Sequence, residues 1–177
     1  MTSIAANPVR LRLTPNVRRA VLTLHIVASV GLLGDLAGFL AVAIRGATTE
    51  DPALAAASYE LLDMFSLVFG IPLSMTSLIT GIVLGVSSRY GVLRHGWTTA
   101  KLGLILSVIL VGALVIGPSN ARMLDGSGGA ENVLVAAAAY DVLALVLATA
   151  LTTYKPRRRR SAARTQSASV GTSASRR

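Results

Sequence analysis

Three aspartates lie inside long apolar stretches of this sequence, at Asp35, Asp63 and Asp141. Each falls on a stripe of small residues at helical spacing, so we expect each carboxyl to face the interior of a helix bundle. An ionised Asp near the centre of a membrane helix costs roughly 2.5 to 3.5 kcal/mol, and no Lys or Arg is expected at the same depth. At least one of the three carboxyls should therefore hold a proton at neutral pH.

Two interpretations of these carboxyls stay open. They could form a proton or cation site in a small coupled transporter, or protonated carboxyls could donate hydrogen bonds between helices and only stabilise the bundle. Asp35 and Asp141 are expected at a similar depth, because they lie at similar distances from the same end of their apolar stretches. Asp63 is expected nearer the membrane surface.

The two histidines, His25 and His95, are expected on the same side of the membrane. Together they could ligate a haem iron or a transition metal such as copper, although two histidines are few for zinc. Alternatively, His25 bonds a neighbouring helix and His95 is a loop cation. The sequence has no cysteine, which excludes disulfides and thiolate metal sites. We expect no cofactor, and no catalytic motif predicts an enzyme.

The elements that must position these residues are four apolar runs, each long enough to cross a bilayer as a helix. The fold class predicted is all-α, a membrane-spanning four-helix bundle. The domains expected are an N-terminal segment (1–19), a transmembrane domain (20–153) and a disordered basic tail (154–177). The predicted spans are 20–44, 61–86, 98–116 and 133–151.

The distribution of basic residues predicts the orientation of the bundle. Fifteen of the seventeen Lys and Arg fall on one side of the predicted spans, and only Arg45 and Arg122 fall on the other. Since Lys and Arg are enriched in cytoplasmic loops, both termini are expected in the cytoplasm. The flanking positions of these basic residues favour membrane orientation over nucleic-acid binding. The expected location is the bacterial plasma membrane.

A basic cluster directly follows the fourth span. Its side chains are expected to contact anionic lipid headgroups at the cytoplasmic face, each contributing about 1 kcal/mol. Its simplest function is to stop transfer of the chain across the membrane. The cluster consists of Lys155, Arg157, Arg158, Arg159 and Arg160.

Other short patterns predict helix boundaries and contacts. Asp51 before Pro52 is typical of a helix start, and Pro72 is expected to kink the second helix. The stripes of small residues allow close helix packing, within one chain or between copies or other membrane proteins. A homo-oligomer or a membrane protein partner therefore stays possible.

Two segments resemble a known family. Residues 24–34 (LHIVASVGLLG) and 93–102 (LRHGWTTAKL) resemble the bacterial predicted integral membrane proteins of domain of unknown function family 2269. The matching positions are His25, Arg94, His95, Trp97 and Lys101. The resemblance implies four helices and a plasma-membrane location, and it implies no established activity. The first helix is also faintly similar to copper resistance D-type membrane modules.

Taken together, these patterns predict an uncharacterised polytopic membrane protein that is a non-enzymatic accessory or structural subunit. The alternatives are a small proton- or cation-coupled transporter that uses the buried carboxyls, and a membrane protein that binds haem or copper.

Overall fold

The computed structural model describes residues 13–87 and 96–153, and the described part is almost entirely helical. Four helical segments are long and apolar enough to cross a membrane, which confirms the predicted all-α fold. The first and fourth are single helices, and the second and third each contain a π-helical turn. The helices are α1 (Pro15–Thr48), α2 (Pro52–Phe65), α3 (Ile71–Val86), α4 (Gly96–Val111), α5 (Gly117–Leu124) and α6 (Glu131–Thr153).

Short polar connections join the helices at one end of the bundle. The Asp51 side chain accepts a hydrogen bond from the backbone N–H of Ala53 at 2.9 Å, and Pro52 occupies the first turn of α2. The predicted helix start is therefore confirmed, and α2 begins well before the apolar run at residue 61. Between α5 and α6, Gly126, Gly128 and Gly129 all have positive φ, a backbone conformation that favours glycine.

Each π-helical turn lies directly before a proline. In Ser66–Gly70 the turn ends where Ile71 donates its N–H to the Ser66 carbonyl, and Pro72 follows. In the third span, Gly112–Ile116 is followed by Pro118 in the same way. A proline ring clashes with the carbonyl four residues earlier and has no N–H to offer it. Widening the turn relieves this clash, so both helices continue through their prolines.

The four spans pack in a ring. Helix α1 contacts α2, α3 and α6; α4 contacts α6, and α2 contacts α5, whereas α3 touches α4 only slightly. We call the end with Pro15, Val86, Gly96 and Thr153 the basic end, because the sequence concentrates Lys and Arg there, and the other the opposite end.

The buried apolar core has two parts. The cluster nearer the basic end, called the basic-side cluster, consists of Leu32, Leu36, Val108, Ala144 and Leu145. The opposite-side cluster consists of Phe39, Ala43, Tyr59, Leu62, Ile116, Leu134, Ala137 and Ala138.

Glycines in α1 allow neighbouring helices to approach closely. A Cβ at Gly46 would lie 3.1 Å from the Ser58 Cβ and 3.4 Å from the Tyr59 ring. At Gly38, a Cβ would lie 3.3 Å from the Phe65 ring. Since lipid supplies no hydrophobic force between helices, such close packing is what holds α1 against the second span.

Candidate functional site

Two of the three predicted aspartates lie in the interior at the level where the core changes from one cluster to the other. Asp35 of α1 is next to Leu36, the last residue that α1 contributes to the basic-side cluster. Asp141 of α6 lies between Ala138 of the opposite-side cluster and Ala144 of the basic-side cluster. Because α1 and α6 pack against each other, the two carboxyls lie at a matched height in the bundle.

Both carboxyls are buried with an oxygen that has no hydrogen-bond partner. Asp141 is 1% exposed and Asp35 is 9% exposed. The Oδ1 atoms of both residues are buried and unpartnered in the structure. Leaving such a group unsatisfied costs about 1 to 3 kcal/mol, and more if it is charged. Two buried, unpartnered carboxyl oxygens at one level of the bundle therefore need an explanation, such as proton or ion chemistry.

The Asp35 carboxyl lies against the π-helical turn of the second span. A Cβ at Gly70, the last residue of that turn, would lie 3.4 Å from Asp35 Oδ2. The lack of a side chain at Gly70 therefore leaves room for the carboxyl between α1 and the second span. π-Helical turns occur frequently at functional sites.

Asp63 is exposed, so the expectation that all three carboxyls face the interior was wrong for this residue. The cause is the π-helical turn between Asp63 and the buried Ser74. In a regular helix Asp63 would share a face with Ser74, three turns later. The π-helical turn adds about one residue to the helix, so Leu62 lies on the face of Ser74 where Asp63 was expected. Leu62 is fully buried.

Polar contacts join α1 and α3 on the basic-end side of Asp35. His25 Nδ1 lies 3.0 Å from Thr80 Oγ1 and 3.1 Å from the Ser77 carbonyl oxygen. Because that carbonyl can only accept, the proton of the neutral ring lies on Nδ1, and Nε2 keeps its lone pair. One turn deeper, the Ser29 and Ser77 hydroxyls lie 3.0 Å apart. The predicted bond between His25 and a neighbouring helix is therefore present.

The proposed metal site can be assessed only at His25. His95 lies outside the described residues, so the pairing of the two histidines stays a prediction. Within residues 13–87 and 96–153, no group of three or more His, Asp or Glu is close enough together to hold a metal ion. The basic cluster at Lys155 and Arg157–Arg160 also lies outside the described residues, and its lipid contacts stay a prediction.

Sequence reasoning missed two polar residues of the interior. Asn120 of α5 is 4% exposed; its Nδ2 donates to the Tyr59 carbonyl at 3.3 Å, and its Oδ1 is buried and unpartnered. Asn120 follows Pro118, beyond the predicted end of the third span, so it was not considered as an interior residue. Lys101 was counted as an orientation signal, but it lines a cavity together with His25.

Comparison with known proteins identifies the family of the chain but no activity. No curated protein and no solved structure matches it, and nothing supports the similarity to copper resistance D-type modules. The family model described as "Predicted integral membrane protein (DUF2269)" matches residues 19–156. This match includes all four spans and most of the chain. The chain is therefore a member of this family of predicted integral membrane proteins.

Proposed function

We propose that the bundle conducts protons across the membrane and that Asp35 and Asp141 carry them. The observation that supports this most strongly is the pair of buried, unpartnered carboxyl oxygens at one level of the core. Ionisable residues inside membrane spans are rare and costly, and they commonly mark proton relays. On this proposal the chain is not an enzyme.

A proton suits this site better than a metal cation. Calcium takes six to eight oxygen ligands and magnesium about six, whereas two carboxyls surrounded by Leu and Ala side chains supply few. A proton needs only one oxygen.

The polar groups between α1 and α3 support a route from the basic end. His25, Thr80, Ser77 and Ser29 form hydrogen-bonded contacts that lead toward Asp35. From Ser29 to Asp35 the rise along α1 is about 9 Å, a gap that water would have to bridge. By the distribution of Lys and Arg we propose that the basic end faces the cytoplasm, which makes this the cytoplasmic half of the route.

The proposal is tested by proton flux into vesicles. The purified protein is reconstituted with a pH-sensitive dye inside, and a potassium gradient with valinomycin sets the membrane potential. We expect flux with the unaltered chain, and flux at the level of protein-free vesicles with Asp35→Asn or Asp141→Asn. Both substitutions keep the shape of the side chain and remove the group that exchanges the proton.

Asp63→Asn is the matched control, because Asp63 is exposed on the same bundle and should leave the flux unchanged. All variants are first compared by gel filtration and thermal unfolding in detergent. The proposal fails if the unaltered chain gives no more flux than empty vesicles, or if folded Asp35→Asn and Asp141→Asn variants conduct normally.

A non-enzymatic accessory or structural subunit is the second candidate. It is supported by an open apolar groove of about 480 Å³ between the third span and α6, a surface on which a helix of a partner could pack. Val111, Val115, Val133 and Ala136 contribute to its wall. On this account, a chain with both Asp35→Asn and Asp141→Asn restores the phenotype of a strain that lacks the protein. The proton account predicts that it does not.

A further inference from the structure

A cavity of about 440 Å³ lies in the half of the bundle nearer the basic end, between α1, α3, α4 and α6. Its volume falls within the range of about 300 to 1,000 Å³ that small-molecule sites occupy. Neither Asp35 nor Asp141 is among its lining residues, but His25, Ser29 and Ser77 of the proposed proton route are.

The wall of the cavity is open to the outside of the bundle. Three of its apolar lining side chains are exposed: Ile26, Val30 and Ile82, with Val30 at 65%. In a membrane, the apolar outer surface of the bundle faces lipid. Helices α3 and α4 both line the cavity, and their described parts touch only slightly. A lipid could therefore enter it sideways from the bilayer.

Polarity changes along three of the four helices in the direction expected for a lipid. On α1, α4 and α6 a polar lining residue lies nearest the membrane surface at the basic end and an apolar one lies deepest, whereas on α3 the polar Ser77 lies deeper than Leu84. Lys101 contributes a positive charge, and its electrostatic effect reaches His25, the other ionisable group on this wall. On those three helices the shallower and deeper members are His25 and Leu32 on α1, Lys101 and Ile105 on α4, and Thr149 and Leu145 on α6.

We propose that this cavity binds one acyl chain of an anionic phospholipid from the leaflet at the basic end, with the phosphate beside Lys101. An ammonium at headgroup depth attracts the phosphate, and the apolar wall around Leu33 and Ile105 receives the chain. The second acyl chain stays in the bilayer through the open side. His25, held by Ser77 and Thr80, forms the wall beside the headgroup. This ligand site does not depend on proton transfer at Asp35 and Asp141.

The test uses the full chain in nanodiscs that contain equal amounts of palmitoyl-oleoyl phosphatidylglycerol and palmitoyl-oleoyl phosphatidylcholine. Native mass spectrometry after release counts the lipids that stay bound. We expect phosphatidylglycerol to be retained over phosphatidylcholine. Lys101→Gln should weaken this retention by roughly tenfold, since an ion pair in a partly desolvated site is lost, and Lys101→Arg should keep it.

Two further variants separate charge from shape. Arg18→Gln is the matched control, because it removes an exposed cation at the basic end outside the cavity, and it should retain lipid normally. Ile105→Trp fills the cavity with the charge of Lys101 intact, and it should lose the lipid. Inorganic phosphate should not displace the lipid, because it has no acyl chain.

Equal retention of the two lipids would overturn the proposal, and so would unchanged retention in folded Lys101→Gln or Ile105→Trp variants. Displacement by inorganic phosphate would show that only an anion is recognised and would also overturn it. If Lys101→Gln does not fold, the comparison of lipids and the Ile105→Trp variant decide. Proton flux is not measured in this experiment, so its failure leaves the proton proposal standing.

Discussion

At the scale of single residues, Asp141 is the least expected feature of the core. Alanine and leucine surround it on α6, and yet its carboxyl is 1% exposed with an oxygen that has no partner. A chain selected only for stability would place an apolar residue there. The presence of this carboxyl is best explained by a function, such as proton transfer, that needs a carboxyl oxygen without a hydrogen-bond partner.

Replacing this carboxyl should therefore stabilise the bundle. Asp141→Val removes a buried unsatisfied group, and we expect the free energy of unfolding to rise by about 1 to 2 kcal/mol, less any cost of the larger side chain. The measurement is unfolding by sodium dodecyl sulfate in mixed micelles. A fall in the free energy of unfolding would contradict this, and would favour a carboxyl that holds helices together.

The sequence predicted all three aspartates as interior residues, which was right for Asp35 and Asp141 and wrong for Asp63. The prediction succeeded where the helix between the small residues and the aspartate was regular, as in α1 and α6. Helical periodicity fails across a turn that holds an extra residue, and hydropathy gives no sign of such a turn. The only available signal was Pro72, which predicted a kink but not the change in register.

At the scale of elements, the two prolines have the same effect in different spans. Both Pro72 and Pro118 follow a π-helical turn, so neither ends its helix. The third span was predicted to end at residue 116, where its apolar run ends before Gly117-Pro118. The helix in fact runs on through α5 to Leu124, and it brings Asn120 against Tyr59 of α2.

The contact between α1 and α2 gives a sharp test of element packing. Gly46→Leu places a side chain where a Cβ already lies 3.1 Å from Ser58, and we expect a loss of about 1 to 3 kcal/mol in the free energy of unfolding. A Cβ at Gly34 of the same helix, which is exposed, would meet nothing within 4 Å, so Gly34→Leu should change stability by less than about 0.5 kcal/mol. Equal effects of the two substitutions would show that α1 does not pack against α2 in this way.

At the scale of the whole molecule, the number of spans could be predicted from the apolar runs of the sequence, whereas the contacts between the spans could not. Four long apolar runs predict four crossings, and the family match agrees with a membrane protein. Small-residue stripes predicted that the helices pack closely. They could not predict that the described parts of α3 and α4 touch only slightly.

Both proposals depend on the chain crossing the bilayer four times, and the proton proposal also places the aspartate pair inside the bundle and the basic end in the cytoplasm. Because the sequence has no cysteine, a cysteine introduced at one position is the only one in the chain, and its labelling reports on which side of the membrane that position lies. The positions are Ser127 between α5 and α6, Val17 at the basic end, and Ala138 beside the aspartates, which is fully buried.

The most direct measurement is labelling of these three cysteines in cells with a maleimide that cannot cross membranes. The account predicts that Ser127→Cys is labelled in intact cells and that Val17→Cys is labelled only after the membrane is opened. Ala138→Cys should be labelled in neither condition until the protein is denatured. Labelling of Val17→Cys in intact cells, or of Ala138→Cys in the folded protein, would contradict it.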